Sequence, residues 1–389
     1  MSDVIAGNWQ AQLHQQLKYN SVLLYDHLGN EVFAHNVEQA MVPASILKIV
    51  TADALLANLG ADYRIATEFY LTEDNYLAIK GFGDPTLVSE TLWQMAKQIK
   101  GYLQKKTQKK LQGFYLDNSY FAPNIKVHGL SDSNNPYDAS LAALAVNYNT
   151  INVFKSPQGK LSSAEQQTPL TATAIALAKK LPAGKHRINL GQQPDIAAQY
   201  FAQLLQLFLL KEGIDIALDI KLNAIPEGAK KIYTHYSDTL DNIIQSMFRY
   251  SNNFIANQLF VILGAEKIAA PANMDKGRQV VTDFLHQSIG IKKFILEEGS
   301  GLSRRNLISA KEMMAVLLHF KPYYQLLRHY NKRFRAKTGT LKGVSTFAGY
   351  MVSPKGNYFP FVIMLSHSDI SSRRQVIANS LYKNIFQGY

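Results

Sequence analysis

Two short apolar runs near the start of the chain, Ser21-Val-Leu-Leu-Tyr25 and Glu31-Val-Phe-Ala-His35, flank Asp26-His-Leu-Gly-Asn30, which has turn composition. The pattern predicts strand, turn and strand. Ahead of them, Asn8–Leu17 carries apolar residues at helical spacing. Near the other end, Arg333–Thr340, Val344–Val352 and Tyr358–Leu365 read as strands, and Ser353-Pro-Lys-Gly-Asn357 turns the last two into a hairpin. A final amphipathic helix is expected from Arg374 to Phe386. If the two ends meet, they form a five-stranded antiparallel sheet with the terminal helices on one face.

The stretch between those ends, roughly Tyr63 to Lys231, is then an insertion. Glu68–Leu71, Leu77–Lys80 and Gly113–Asp117 read as strands, with a helix around Leu92–Ile99. A helix over Ala197–Leu210 and a strand over Ile214–Leu222 complete it. No uninterrupted apolar run approaches the ~18 residues of a spanning helix. Tyr200–Leu210 is interrupted by two glutamines and reads as a buried helix.

Candidate chemistry begins at Val42-Pro-Ala-Ser-Ile-Leu-Lys-Ile-Val50. Pro43 can open a helix and Gly60 can stop it, and residues i and i+3 share a helix face. Ser45 then stands beside Lys48, whose apolar neighbours favour loss of its proton. Ser380-Leu-Tyr-Lys383 has the same spacing, but it lies on the terminal helix with Lys383 in solvent. Lys337-Thr338-Gly339, followed by Thr340, is the only Lys-[Ser/Thr]-Gly in the chain. On an edge strand Lys337 can hold an anionic group, the two threonines can hydrogen-bond it, and Gly339 leaves room for close approach. Ser251-Asn252-Asn253 falls between two helical stretches, Ile243–Phe248 and Phe254–Ile262, where it can project into a cleft or cap a helix. Ser133-Asn134-Asn135 repeats that pattern within turn composition.

The order Ser-x-x-Lys, Ser-x-Asn, Lys-Thr-Gly is that of penicillin-binding proteins and serine β-lactamases. With Gly81-Phe-Gly-Asp-Pro-Thr-Leu87, Gly299-Ser-Gly-Leu-Ser-Arg-Arg-Asn306 and Ala336–Thr340, the chain resembles the class C low-molecular-mass penicillin-binding proteins, D-alanyl-D-alanine carboxypeptidases and endopeptidases. The resemblance runs from about Tyr19 to the C-terminus, weakly in the middle. It implies an α/β fold of the serine β-lactamase/DD-peptidase type, a five-stranded antiparallel sheet flanked by helices, with an inserted α+β domain. Residues 1–62 and 232–389 would form the peptidase domain and 63–231 the insertion, with 153–193 a reduced third subdomain. It further implies Ser45 as nucleophile, Lys48 as base, Ser251 as proton relay and Asn253 as the group positioning Lys48. Lys337, Thr338 and Thr340 would bind a terminal carboxylate beside Gly339, and backbone N–H groups of Ser45 and Thr340 would form the oxyanion hole. Asp117, Phe121 and Arg304 would contact the stem-peptide side chain, although Asp117 can equally cap a turn and Phe121 can be core. Substrates would be peptidoglycan stem peptides, with β-lactams as covalent inhibitors. A non-catalytic wall-binding module and a β-lactamase-like hydrolase are the rival readings.

Composition changes little in this picture. The net charge of +12 is scattered, without a nucleic-acid-binding motif, and suits contact with an anionic polymer such as the cell wall. The one basic cluster is Lys105–Lys110. Without cysteine there is no disulfide or thiol chemistry. The ten histidines form no compact metal pattern, there is no Gly-x-Ser-x-Gly elbow, and no cofactor is expected. Met1–Asn8 lacks the basic and apolar regions of a signal peptide; the family resemblance implies the start of a mature form, although a cytoplasmic protein would look the same here. The family resemblance implies a periplasmic or cell-envelope location.

Overall fold

In the computed structural model, which describes residues 2–106, 110–190, 194–366 and 373–386, the apolar run Tyr358–Ser366 lies inside a six-stranded antiparallel sheet. The spatial order is Arg328–Tyr330, Phe334–Leu341, Val344–Val352, Tyr358–Ser366, Ser21–Tyr25 and Glu31–His35. The five expected strands are present. The sixth, Arg328–Tyr330, is a correction: three residues at the rim carry too short a pattern to read as a strand. It pairs only with Phe334, Arg335 and Ala336. Among the described residues, Lys337–Leu341 are therefore laddered on one side alone, to Val344–Ala348.

The period of two along each strand sorts residues between the sheet faces. Val22, Leu24, Phe334, Ala336, Phe347, Phe361 and Ile363 join one apolar cluster with Leu13 and Leu17 of the first helix and Ile377, Leu381 and Phe386 of the last. Those helices span Ser2–Leu17 and Arg373–Phe386. Lys337, one step from Ala336, must therefore point to the opposite face. There helix Leu47–Leu59 packs on helix Ala310–Phe320, which lies against the Tyr358–Ser366 strand. A capping box, with Ser309 and Glu312 exchanging hydrogen bonds, fixes the start of Ala310–Phe320.

The sheet belongs to the first of two compact units, made of Met1–Gly60, Ile244–Ala256 and Arg278–Tyr389. The second unit comprises Ala61–Ile243 and Asn257–Gly277. It holds a five-stranded sheet ordered Lys230–Tyr236, Ala66–Leu71, Leu77–Gly81, Phe114–Asp117 and Ile220–Leu222, its last two pairings parallel. Helices Ser89–Lys106 and Pro194–Lys211 pack together in this unit. The strand expected over Ile214–Leu222 is confined to Ile220–Leu222, preceded by a single bridge from Leu111 to Ile216. A three-stranded sheet of Leu161–Ser163, Thr150–Lys155 and Gly184–Asn189, with helix Ala172–Ala178, fills the stretch read as a reduced subdomain. Its last expected residues, 191–193, and residues 107–109 of the basic cluster lie outside the described residues.

Candidate active site

Ser45 does not sit in the α-helix proper. Ala44–Ile46 form a 3₁₀ turn, and the α-helix begins at Leu47, ending at Gly60, whose N–H reaches the Leu56 carbonyl. Ala44 holds a left-handed backbone (φ 48°) that aims the turn, and the buried Thr346 hydroxyl donates to the Pro43 carbonyl at 2.7 Å. Two glycines make room for it. A Cβ on Gly301 (φ 80°) would lie 1.9 Å from the Ala44 oxygen, and one on Gly339 would lie 2.8 Å from the Ser45 nitrogen. The Lys-Thr-Gly strand therefore runs close against the Ser45 N–H.

Lys48 is fully buried, and its Nζ has three partners: Ser45 Oγ at 3.2 Å, Asn253 Oδ1 at 2.7 Å and the Ser300 carbonyl at 2.6 Å. Asn253 Oδ1 and the carbonyl can only accept, so they take two N–H bonds. A neutral amine has two donors and one lone pair, and the lone pair is left for the Ser45 hydroxyl. Burial lowers the Lys48 pKa to about 7, against the opposing field of Glu298. A second lysine in the motif set suggests that Lys337 helps to discharge Lys48. Desolvation is the main cause at Lys48, and the repulsion between the two lysines, which disfavours charge on both, adds to the lowering at Lys337.

Ser251 follows helix Leu240–Tyr250 in a left-handed conformation (φ 52°), and Asn252 Oδ1 caps the next helix, Asn253–Lys267, by accepting from the Ile255 N–H. With Asn252 taking the cap, the Ser251 hydroxyl is left to accept from Lys337 Nζ at 2.8 Å. Lys337 is also bound to the Thr338 carbonyl. Burial and then the charges of Lys48, Arg374 and Arg328 push its pKa well below the ordinary lysine value. Ser45, Lys48, Ser251, Asn253 and Lys337 are thus brought together in the first unit, with Thr338 and Thr340 alternating to the other pleat face of the open strand edge.

Two further side chains complete this arrangement, and the motifs did not reveal them. Glu298, wholly buried, accepts from the N–H and hydroxyl of Ser300, the Ser303 N–H and the Asn306 amide. It thereby shapes the loop whose Ser300 carbonyl holds Lys48. Its position at the head of a Gly/Ser loop was the available signal. Arg374, on the last helix, donates to the Gly339 carbonyl of the motif strand and to Thr340 Oγ1 at 2.8 Å. No local pattern could link it to residues so far back in the chain.

The remaining expected residues are placed elsewhere. Arg304 is exposed and donates to the Lys342 carbonyl in the turn after the Lys-Thr-Gly strand. Asp117 and Phe121 belong to the second unit, where both line a cavity of about 340 Å³. Asp117 is buried, 3.7 Å from Lys80, and accepts from the Ser119 N–H, so it does hold a turn. Phe121 is buried against Gly83. Ser133 accepts from the Asn135 N–H, a turn role. Among the described residues, Ser380 accepts only a long bond from Asn384 on the same helix. Among the described residues no group of His, Cys, Asp and Glu could hold a metal ion.

The chain matches the model of the D-Ala-D-Ala carboxypeptidase 3 (S13) family over residues 22–181, 159–331 and 327–382. It is 26% identical over 416 residues to a D-alanyl-D-alanine carboxypeptidase of Actinomadura sp. (strain R39), covering 87% of this chain and 76% of the relative. Among solved structures it resembles penicillin binding protein 4 from Haemophilus influenzae, with a TM-score of 0.76 and 23% identity over 96% of this chain and 99% of that one. It also resembles a predatory endopeptidase from Bdellovibrio bacteriovorus, solved acylated by penicillin G with an immunity protein. There the TM-score is 0.52 and identity 15%, over 95% of this chain and 91% of that one.

Proposed function

The chain belongs to the D-Ala-D-Ala carboxypeptidase 3 (S13) family and is a D-alanyl-D-alanine carboxypeptidase, and on that premise we propose that it works through an acyl-enzyme on Ser45. Ser45 Oγ attacks the carbonyl between the two terminal D-alanines of a peptidoglycan stem peptide, and its proton passes to Lys48. Ser251 relays a proton to the leaving amine, and water hydrolyses the ester. The N–H groups of Ser45 and Thr340 bind the oxyanion, a role worth ~3–4 kcal/mol per donor. Lys337, Thr338 and Thr340 bind the substrate carboxylate, with Gly339 leaving room for it.

The observation that carries this reading is the set of partners around Lys48 Nζ, two acceptors and one hydroxyl, in a buried position. A solvated lysine would have no such reason to be neutral. We assign the chemistry to residues 1–62 and 232–389 and substrate scope to the insertion 63–231, with 153–193 its reduced subdomain and Asp117, Phe121 and Arg304 as stem-peptide contacts. D-Ala–diaminopimelate cross-links are the second substrate, and the site of action is the cell envelope. Among the described residues no helix is long and apolar enough to cross a membrane.

Incubation with a fluorescent penicillin, followed by intact-mass measurement, tests this. A stable adduct is expected on the parental protein and none on Ser45→Ala. No adduct on either would end the acyl-enzyme reading, and rapid release of hydrolysed drug would point to a β-lactamase.

A further inference from the structure

Arg374 is half-buried at the start of the last helix, and its guanidinium is turned to the sheet. Nη1 donates to the Gly339 carbonyl, to Thr340 Oγ1 at 2.8 Å and, at the longer distance of 3.5 Å, to the Thr346 carbonyl. The helix has other anchors. Ile377, Leu381 and Phe386 lie in the apolar cluster, and Arg373 donates to the Gln16 carbonyl at 2.6 Å. Among the described residues Arg374 has no acidic partner, and its Nε is shut off from solvent without a hydrogen bond. A guanidinium taken partly out of water without a counter-charge costs free energy unless an anion completes its site.

The bond to Thr340 shows where that anion belongs. A guanidinium only donates, whereas a threonine hydroxyl has one hydrogen and two lone pairs. With one lone pair taken by Arg374, the Thr340 hydrogen cannot turn back towards Nη1 and needs an acceptor elsewhere. Thr340 is exposed on the open strand edge, and among the described residues its Oγ1 has no second partner. Its hydrogen is therefore left for a ligand. The charge of Arg374 also reaches Lys337, whose pKa it lowers after burial and Lys48. Cations placed so close together repel one another less once a carboxylate enters between them.

We propose that Arg374 is the positioning residue of the carboxylate clamp. It fixes the Thr340 hydroxyl as a donor to the substrate carboxylate, and its permanent charge makes this edge select an ionised terminus over an ester. The inference rests on the reading of Lys337, Thr338 and Thr340 as that clamp.

The test measures acylation rates with benzylpenicillin, whose carboxylate stands in for the peptide terminus, and with its methyl ester, both followed by intact mass. The acid-over-ester ratio is taken within each protein. Partial unfolding scales both rates alike, so the ratio reads the clamp and not the fold. The parent should favour the acid by about 100-fold, and in Arg374→Gln the ratio should fall about tenfold, as for one charge-assisted hydrogen bond. Arg374→Lys, which restores charge without the planar fork, should lose less. Thr340→Val should lower the ratio too, and adding Arg374→Gln to it should lower the ratio by less than Arg374→Gln does alone, because both act on one hydroxyl. If the parent favours the acid and Arg374→Gln keeps the same ratio, the role of Arg374 is overturned and the clamp stands. Full additivity of the two substitutions would equally overturn action through Thr340. A parent that treats acid and ester alike would overturn the clamp, and this inference with it.

Discussion

Lys48 and Lys337 are both buried, yet their surroundings ask different things of them. Lys48 has acceptors for two N–H bonds and a hydroxyl for its lone pair, and its pKa is lowered to about 7. On the proposal that neutral Lys48 is the base, acylation should rise with pH, climbing about tenfold per unit below pH 7 and levelling above it. Stopped-flow penicillin acylation from pH 5 to 9 measures this, and a flat profile would remove Lys48 as the base. Lys337 donates to Ser251 and is held down by burial and by neighbouring cations. Such a group costs folding free energy, so Lys337→Met should lower acylation at least about 100-fold while leaving the Tm unchanged or higher. Equal losses of activity and Tm would argue for a structural role. Ser45, Lys48, Ser251, Asn253 and Lys337 were legible as motifs because each is a short pattern of residue types. Glu298 and Arg374 were not, because their partners are chosen by loop packing and by a helix that returns from the end of the chain.

At the scale of elements, the site is a set of close approaches. The loop after Glu298 meets the Ser45 turn at Gly301, and the Lys-Thr-Gly strand meets it at Gly339. Gly301→Ala places a methyl 1.9 Å from a backbone oxygen, whereas Gly356→Ala, at similar φ in the hairpin turn, meets nothing within 4 Å. The turn variant should cost about 1–2 kcal/mol for its left-handed backbone alone. Gly301→Ala should cost clearly more and slow acylation as well; urea unfolding with penicillin acylation on both variants makes the comparison. The hairpin strands, the terminal helices and the Leu47–Leu59 helix follow from periodicity and turn residues. Arg328–Tyr330 and the short Ile220–Leu222 strand do not, since their pairing depends on a neighbour already in place.

For the whole molecule, the charge of +12 is the property with the widest reach. It predicts retention on purified peptidoglycan at low ionic strength, falling steeply as the screening length drops from about 10 Å at 0.1 M salt to about 3 Å at 1 M. Co-sedimentation across that range measures it, and salt-independent retention would mean that charge contributes little. The protein's two compact units divide the chain in an order no local pattern displays. The first gathers Met1–Gly60, Ile244–Ala256 and Arg278–Tyr389, leaving Asn257–Gly277 to the second although it continues the helix that Asn253 opens.

Residue types and their spacing by themselves determined five of the six strands of the main sheet, the three motifs and the family they resemble, because those are properties of neighbours in the chain. Tertiary structure alone decided which serine-lysine pair was buried and hydrogen-bonded. Ser45 and Ser380 carry the same spacing, but only Lys48 is withdrawn from water and met by Asn253 and the Ser300 carbonyl. Burial and hydrogen bonding to residues distant in sequence set a lysine's proton affinity, and neither exists before the chain has packed.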